Sequence, residues 1–124
     1  MVKRGQRECE PSAEMRMSGK KAFVKELDGG REYQRVVDPA ETWGVKAGRV
    51  RLEAGASCGV HSTGEREEVL VFLSGAGMAY AGDERLAVGE GKVCYIPPNT
   101  EHNIVNTGSE PLVYIFCVAP VRPG

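Results

Sequence analysis

The sequence predicts an all-β protein, a sandwich or barrel built from about ten short strands. The chain has 16 glycines in 124 residues, and turn-forming residues divide it at close intervals from residue 22 onward. Segments such as RVRLEA, residues 49–54, alternate charged and apolar residues as half-buried strands do. Helical periodicity is absent from the longer glycine-free windows, and the one candidate helix is a short polar segment, residues 12–17.

The strands follow one another in a regular order. Residues 22–27 and 31–37 flank an Asp-Gly-Gly turn and predict a hairpin, and residues 38–48 predict a loop. The remaining predicted strands, each bounded by glycine, proline or asparagine turns, are residues 49–54, 57–63, 68–74, 77–81, 85–88, 93–96, 102–105 and 111–118. We expect one barrel domain over residues 21–124, preceded by a flexible segment, residues 1–20.

Two of these strands, VLVFL and LVYIFCV, are apolar on both faces. One face of each fills the barrel, and the other then packs on a second sheet or on a neighbouring subunit. This pattern predicts a homodimer.

Composition excludes several partners. The net charge is −1, from 16 basic and 17 acidic residues, and a nucleic-acid or anionic-membrane surface would need a basic excess. The chain has neither an apolar run of the roughly 20 residues that span a bilayer nor the apolar centre of a signal peptide, so we expect a cytoplasmic protein. Its four cysteines include no CxxC pair, which argues against a zinc knuckle or dithiol site.

The two histidines of the chain, His61 and His102, each stand on a predicted strand beside a turn. Glu68 begins the strand that follows His61, so the two converge if these strands pair as a hairpin. Burying the Glu68 carboxylate without a cation would cost several kcal/mol by order of magnitude. Two imidazoles and one carboxylate inside a barrel indicate a metal site with open positions.

The spacing around these residues resembles that of the cupins. The first cupin motif, G-x5-H-x-H-x(3,4)-E-x6-G, is matched by Gly55, His61, Thr63, Glu68 and Gly75, with Thr63 where the second histidine stands. The second motif, G-x5-P-x-G-x2-H-x3-N, is matched by Gly91, Pro97, Asn99, His102 and Asn106. Asn99 stands for a turn glycine, a mild exchange because asparagine tolerates the left-handed backbone.

The resemblance implies a double-stranded β-helix, the jelly-roll barrel of the cupins. It also implies a dimer and a divalent metal ion (Fe, Mn, Zn or Ni) held by His61, Glu68 and His102. Small cupins of this kind include proteins similar to mannose-6-phosphate isomerases, although no residue here identifies a sugar phosphate.

Thr63 leaves three interpretations open, because a neutral hydroxyl is a poor ligand for a transition metal. His61, Glu68 and His102 bind the metal alone; or Glu65 or Glu67 compensates; or metal binding has been lost and the pocket holds a polar ligand.

Other candidates come from neighbouring positions. Glu65 and Glu67 at the rim are candidate general bases. Tyr80, like Tyr95, is a candidate hydrogen-bond donor to a substrate, with packing as the alternative.

The remaining candidates are a charged strand face, a cysteine and a tryptophan. Arg49, Arg51 and Glu53 share a strand face that recognises an anion or faces solvent. Cys58 is out of phase with His61 and is expected to point away from the site, and Trp43 covers either a pocket mouth or a dimer interface.

Two functions follow. The first is a metal-dependent enzyme acting on a small polar metabolite by isomerase, lyase or dioxygenase chemistry. The second is a ligand-binding barrel without turnover and with a weakened or absent metal site. The metal and its surroundings discriminate between them.

Overall fold

The structure, a computed structural model, describes residues 20–121. Nine strands and one 3-10 turn, Pro39–Glu41, make up its regular elements in this part of the chain. The strands are β1 Tyr33–Val37, β2 Lys46–Leu52, β3 His61–Ser62, β4 Arg66–Ser74, β5 Ala76–Ala81, β6 Glu84–Gly89, β7 Val93–Ile96, β8 Glu101–Val105 and β9 Leu112–Pro120. The all-β prediction is confirmed. The predicted helix at residues 12–17 lies outside the described residues.

The strands form two antiparallel sheets. The five-stranded sheet has the order β1-β2-β9-β4-β7, and the four-stranded sheet has the order β3-β8-β5-β6. Strands that follow one another in sequence therefore alternate between sheets at several points, β3 to β4 and β7 to β8 among them. This winding of the chain through two facing sheets is the double-stranded β-helix expected above.

The core lies between the sheets and follows the alternation of side chains along each strand. In β4, Leu70 and Phe72 are each 1% exposed, whereas Val69 and Val71 between them are each 37% exposed. Side chains such as Ile104 of the opposite sheet complete the core. Each fully buried side chain of this size contributes about 1.5–3 kcal/mol to folding.

The hairpin predicted over residues 22–37 is wrong. Residues 22–27 form no strand, and β1 pairs with β2 instead, Tyr33 opposite Val50. Val24 is 94% exposed, so this segment buries too little apolar surface to extend the sheet. Side-chain hydrogen bonds attach it: Gln34 Nε2 donates to the Glu26 carbonyl (2.9 Å) and Gln34 Oε1 accepts from the Asp28 amide (2.6 Å).

Asn99 takes the role predicted for it in the turn before β8. Its φ of 52° is left-handed, the conformation that a glycine would otherwise supply. Its amide donates to the Gly64 carbonyl at 2.8 Å, which ties this turn to the loop after β3. The turn thereby holds the starts of β8 and β4 at the same end of the sandwich.

Asn106, the last residue of the second motif, is a structural residue. Its side chain is 1% exposed. Nδ2 donates to the carbonyls of Leu52 (2.9 Å) and Glu110 (2.8 Å), and Oδ1 accepts from the Gly108 amide (2.9 Å). Asn106 therefore joins the end of β2 to the loop before β9.

Candidate metal centre

Three residues from two sheets meet at one end of the sandwich. His61 of β3 lies directly opposite His102 of β8 in the four-stranded sheet, and Glu68 faces them from β4 in the five-stranded sheet. One ligand atom of each residue lies within 4.8 Å of the others. The imidazole rings are 4.2 Å apart between centroids, edge to face. The structure thus brings together the three residues that the motifs predict.

Each imidazole is oriented by the backbone two residues before it. His61 Nδ1 lies 3.0 Å from the Gly59 carbonyl, and His102 Nδ1 lies 3.0 Å from the Thr100 carbonyl. A carbonyl oxygen only accepts, so each Nδ1 carries the proton and donates it. In the neutral form of each ring the free lone pair then lies on Nε2, which is the arrangement of metal-binding histidines.

The Nε2 atom of His102 is buried without a hydrogen-bond partner, as expected of a metal ligand. Its side chain is buried, and Nε2 lies 3.1 Å from Glu68 Oε1 yet has no hydrogen bond of acceptable geometry. The Glu68 carboxylate raises the pKa of His102 above its ordinary value, against the effect of burial. A cation between the two groups would satisfy both, so the residues present fit a divalent metal ion.

The Thr63 hydroxyl joins two loops. Oγ1 donates to the Pro97 carbonyl at 2.7 Å and accepts from the Thr100 amide at 3.0 Å. Its proton and one lone pair are therefore engaged in holding the β3–β4 connection against the turn before β8. This connection bears on His102, because the Thr100 carbonyl orients its ring.

A cavity of about 550 Å³ extends between the sheets from the metal centre. Its walls are largely apolar, and the apolar lining includes Val50, Leu70, Ile104, Tyr114, Phe116 and Val118. Burial raises the pKa of the Tyr114 phenol, which therefore stays neutral. The cavity thus has a polar end at His61, Glu68 and His102 and a largely apolar wall beyond it.

The predicted acid-base candidates lie elsewhere. Glu65, Glu67 and Tyr80 are not among the residues that line the cavity. Glu67 accepts a hydrogen bond from the Tyr95 hydroxyl at 2.8 Å. The Arg85 guanidinium lies 5.8 Å from the Tyr80 ring centroid.

The predicted anion-binding face is divided between two environments. Arg49 is 1% exposed and donates to the Arg31 carbonyl at 2.7 Å, away from the cavity. Arg51 and Glu53 do line the cavity, where they pair with each other at 3.0 Å. Trp43 is 66% exposed and does not line the cavity.

The expectation that Cys58 points away from the site is wrong. Cys58 lines the cavity and packs against the core, and its Sγ accepts from the Ile104 amide at 3.4 Å. Residues 58–60 do not form a strand, and Gly59 has a φ of 94°. The two-residue alternation that the expectation assumed is therefore interrupted between Cys58 and His61.

Lys46 and Arg66 also line the cavity, although the sequence pattern does not single them out. Lys46 lies in a segment that the sequence predicts as loop, whereas the structure begins β2 there. The signal that would have found them is the register of β2, β9 and β4, which a single sequence does not contain.

Comparison with known proteins agrees with this geometry. The family model described as "Cupin domain" matches residues 48–118, more than half of the chain. With two motifs in register and the two-sheet winding, the chain belongs to the cupin family.

Solved structures share the fold. A predicted oxalate decarboxylase from Thermotoga maritima aligns with a TM-score of 0.68 and 22% identity, covering 72% of this chain and 79% of that one. An RmlC-like cupin family protein from Methanocaldococcus jannaschii aligns with a TM-score of 0.69 and 21% identity, covering 80% and 91%. At these identities the likeness shows the fold alone.

A curated relative is closer in sequence. An uncharacterized protein of Methanocaldococcus jannaschii is 35% identical over 69 residues, which are 56% of this chain. The chain spans about half the length of that relative, 55%.

Proposed function

We propose that His61, Glu68 and His102 bind one divalent transition-metal ion and that the adjoining cavity holds a small molecule on which the site acts. The observation that carries this proposal is the buried His102 Nε2, which lacks a hydrogen bond and faces Glu68 Oε1 at 3.1 Å. Two imidazoles and a carboxylate suit Fe, Mn, Zn or Ni, and three protein ligands leave coordination positions open.

The residues around the proposed ion have different roles. The Gly59 and Thr100 carbonyls hold the imidazoles with Nε2 inward, and Glu68 contributes the negative charge. The apolar walls exclude water from a bound molecule, which strengthens electrostatic interactions in the cavity. A bound ion supplies Lewis-acid polarisation of a carbonyl group, or redox chemistry if it is iron. These chemistries support the isomerase, lyase and dioxygenase hypotheses.

The test is the metal content of untagged protein purified without chelator or nickel resin. We expect about one equivalent of metal in the wild type and little in the His61→Ala/His102→Ala double variant, since loss of two of three ligands removes most of the affinity. Glu68→Gln should also lose metal. Glu65→Gln is the matched control, because Glu65 is an exposed carboxylate three residues away that does not line the cavity. Absence of metal in the wild type, even after addition of Fe²⁺, Mn²⁺ and Zn²⁺, would refute the proposal.

The second candidate function is ligand binding without turnover. The observation that favours it is the location of Glu65, Glu67 and Tyr80, the predicted acid-base candidates, away from the cavity. A protein that binds metal and a ligand but leaves the ligand chemically unchanged over hours would support this alternative. The likeness to mannose-6-phosphate isomerases and the cytoplasmic location stay predictions, since neither the family model nor the relatives named above bear on them.

Among residues 20–121, no helix has the length and apolar character needed to cross a membrane.

A further inference from the structure

We propose that Lys46 and Arg66 recognise an anionic group of the ligand, and that the ligand is a carboxylate with an apolar body. This inference rests on the proposed metal site and names the class of molecule that the site takes. Its basis is a pair of cations on the inner face of the five-stranded sheet, one across the sheet from Glu68 and one beside it on β4.

The strand register determines where these cations lie. Lys46 of β2 and Glu68 of β4 both stand opposite Val118 of β9. The three residues therefore form one row across the sheet, and Lys46 and Glu68 are separated by two strand spacings, about 10 Å between Cα atoms. Arg66 precedes Glu68 by two residues on the same strand face, about 7 Å away. Both side chains line the cavity and are long enough to reach a molecule beside the metal centre.

These two cations have no partner within the part of the chain that the structure describes. Within residues 20–121, neither the Lys46 ammonium nor the Arg66 guanidinium forms an ion pair or a side-chain hydrogen bond, whereas Arg51 in the same lining is paired with Glu53 at 3.0 Å. Lys46 is also half-buried, so part of its hydration is lost without compensation.

The charge of the cavity is positive at this end. Lys46 and Arg66 together outweigh the single negative charge of Glu68, and a bound divalent ion would add to this excess. Among the described residues, Glu32 is the other acid of the lining without an ion pair. It precedes Tyr33, which stands opposite Val50, and Val50 is four residues along β2 from Lys46. That separation is roughly 13 Å, too far for Glu32 to neutralise the metal end. An anion is the ligand that this field attracts.

The rest of the cavity selects an apolar body. Beyond the row of Lys46 and Glu68, the next rows of β9 present Phe116 and then Tyr114. Tyr33 stacks on Phe116 with ring centroids 6.2 Å apart and extends the apolar wall. A compact dicarboxylate would leave this wall uncovered, whereas an aryl or branched alkyl carboxylate would cover it. This class is narrower, and less polar, than the small polar metabolite predicted from the sequence.

Calorimetric titration with phenylacetate tests the proposal, with phenylacetamide and acetate as the neutral and the truncated probes. We expect Zn²⁺-loaded protein to bind phenylacetate at least about tenfold more tightly than either of the other two probes. Phenylacetamide lacks the negative charge that the cations bind, and acetate lacks the ring that packs on the apolar wall. Lys46→Met and Arg66→Gln should each weaken phenylacetate binding by about tenfold, the magnitude of one charge-assisted hydrogen bond, and leave phenylacetamide binding unchanged.

Lys92→Met is the matched control, because Lys92 is an exposed lysine that does not line the cavity. It should bind all three probes as the wild type does. The proposal is overturned if phenylacetate does not bind, if phenylacetamide binds equally well, or if the cavity variants bind phenylacetate like the wild type.

A separate Zn²⁺ titration distinguishes this proposal from the metal site. Lys46→Met and Arg66→Gln should bind Zn²⁺ like the wild type. If wild-type protein takes up no Zn²⁺, the proposed metal function fails. The same phenylacetate titrations on metal-free protein then test the role of the two cations. Binding that is weakened by Lys46→Met and by Arg66→Gln supports this role. Absence of binding, or binding that neither substitution weakens, overturns it.

Discussion

Replacing Thr63 by valine separates a structural role of this residue from a role in metal binding. The substitution keeps the shape of the side chain and removes the hydroxyl that donates to the Pro97 carbonyl at 2.7 Å and accepts from the Thr100 amide at 3.0 Å. Each of these hydrogen bonds contributes about 0.5–1.5 kcal/mol net, and the groups left behind are partly accessible to water. We therefore expect Thr63→Val to lower the free energy of unfolding by about 2 kcal/mol.

Urea denaturation of the metal-free protein measures this loss, and a Zn²⁺ titration of the same samples measures the metal affinity. A loss of 2 kcal/mol corresponds to a melting temperature lower by roughly 8–10 °C in a domain of this size. The Zn²⁺ affinity should change little, because Thr63 is not among the three ligands. Thr63→Ser is the matched control, since it keeps the hydroxyl and should retain most of the stability. A large loss of Zn²⁺ affinity in Thr63→Val at unchanged stability would refute this reasoning and make the hydroxyl a ligand.

Three further predictions concern other parts of the molecule. Asn106→Ala should cost about 3 kcal/mol of stability in urea denaturation, because the buried Leu52 carbonyl and two half-buried groups lose their partners; a cost below about 1 kcal/mol would contradict the structural role. Zn²⁺ at about 100 times its Kd should raise the free energy of unfolding by about 2.7 kcal/mol in the wild type and leave His61→Ala/His102→Ala unchanged; an equal effect in both would locate binding elsewhere. We also propose a homodimer through the outward face of β4, where Val71 lies opposite both Val93 and Ile115; Val71→Asp should halve the mass measured by light scattering, while the control Val24→Asp, at a position 94% exposed, should not. A wild-type monomer would exclude the dimer.

Motif spacing was sufficient to predict that His61, Glu68 and His102 lie close together. His61, Glu68 and His102 stand at fixed distances from turns whose geometry is set by a few residues, such as the left-handed Asn99. The hairpin of these strands expected from the sequence is wrong, because β3 and β4 lie in different sheets and do not pair. Glu68 instead meets the two histidines across the sandwich, after the turn that carries the chain from one sheet to the other. The closely spaced turns also predicted the all-β fold.

Motif spacing could not predict which side chains face the cavity where this depends on pairing between strands that are far apart in the sequence. Lys46 faces the cavity because β2 pairs with β9 in one particular register, and a shift by one residue would turn it outward. Cys58 was expected on the opposite face because strict alternation was assumed across Gly59, whose φ of 94° ends it. Residues 22–27 resemble a strand in composition, but the structure gives them no partner strand.

The two sheets contribute unequally to the candidate metal centre: the histidines stand on β3 and β8, and the carboxylate stands on β4. An ion held by all three residues would therefore join the two sheets at this end. The sheets could then separate there only after the ion had been released by the residues of one sheet, so metal binding would slow the opening of this end. Amide hydrogens of β3, β4 and β8 should accordingly exchange with solvent more slowly in the metal-loaded protein. Those of β6 should be little affected, because β6 is the edge strand of the four-stranded sheet on the side opposite β3.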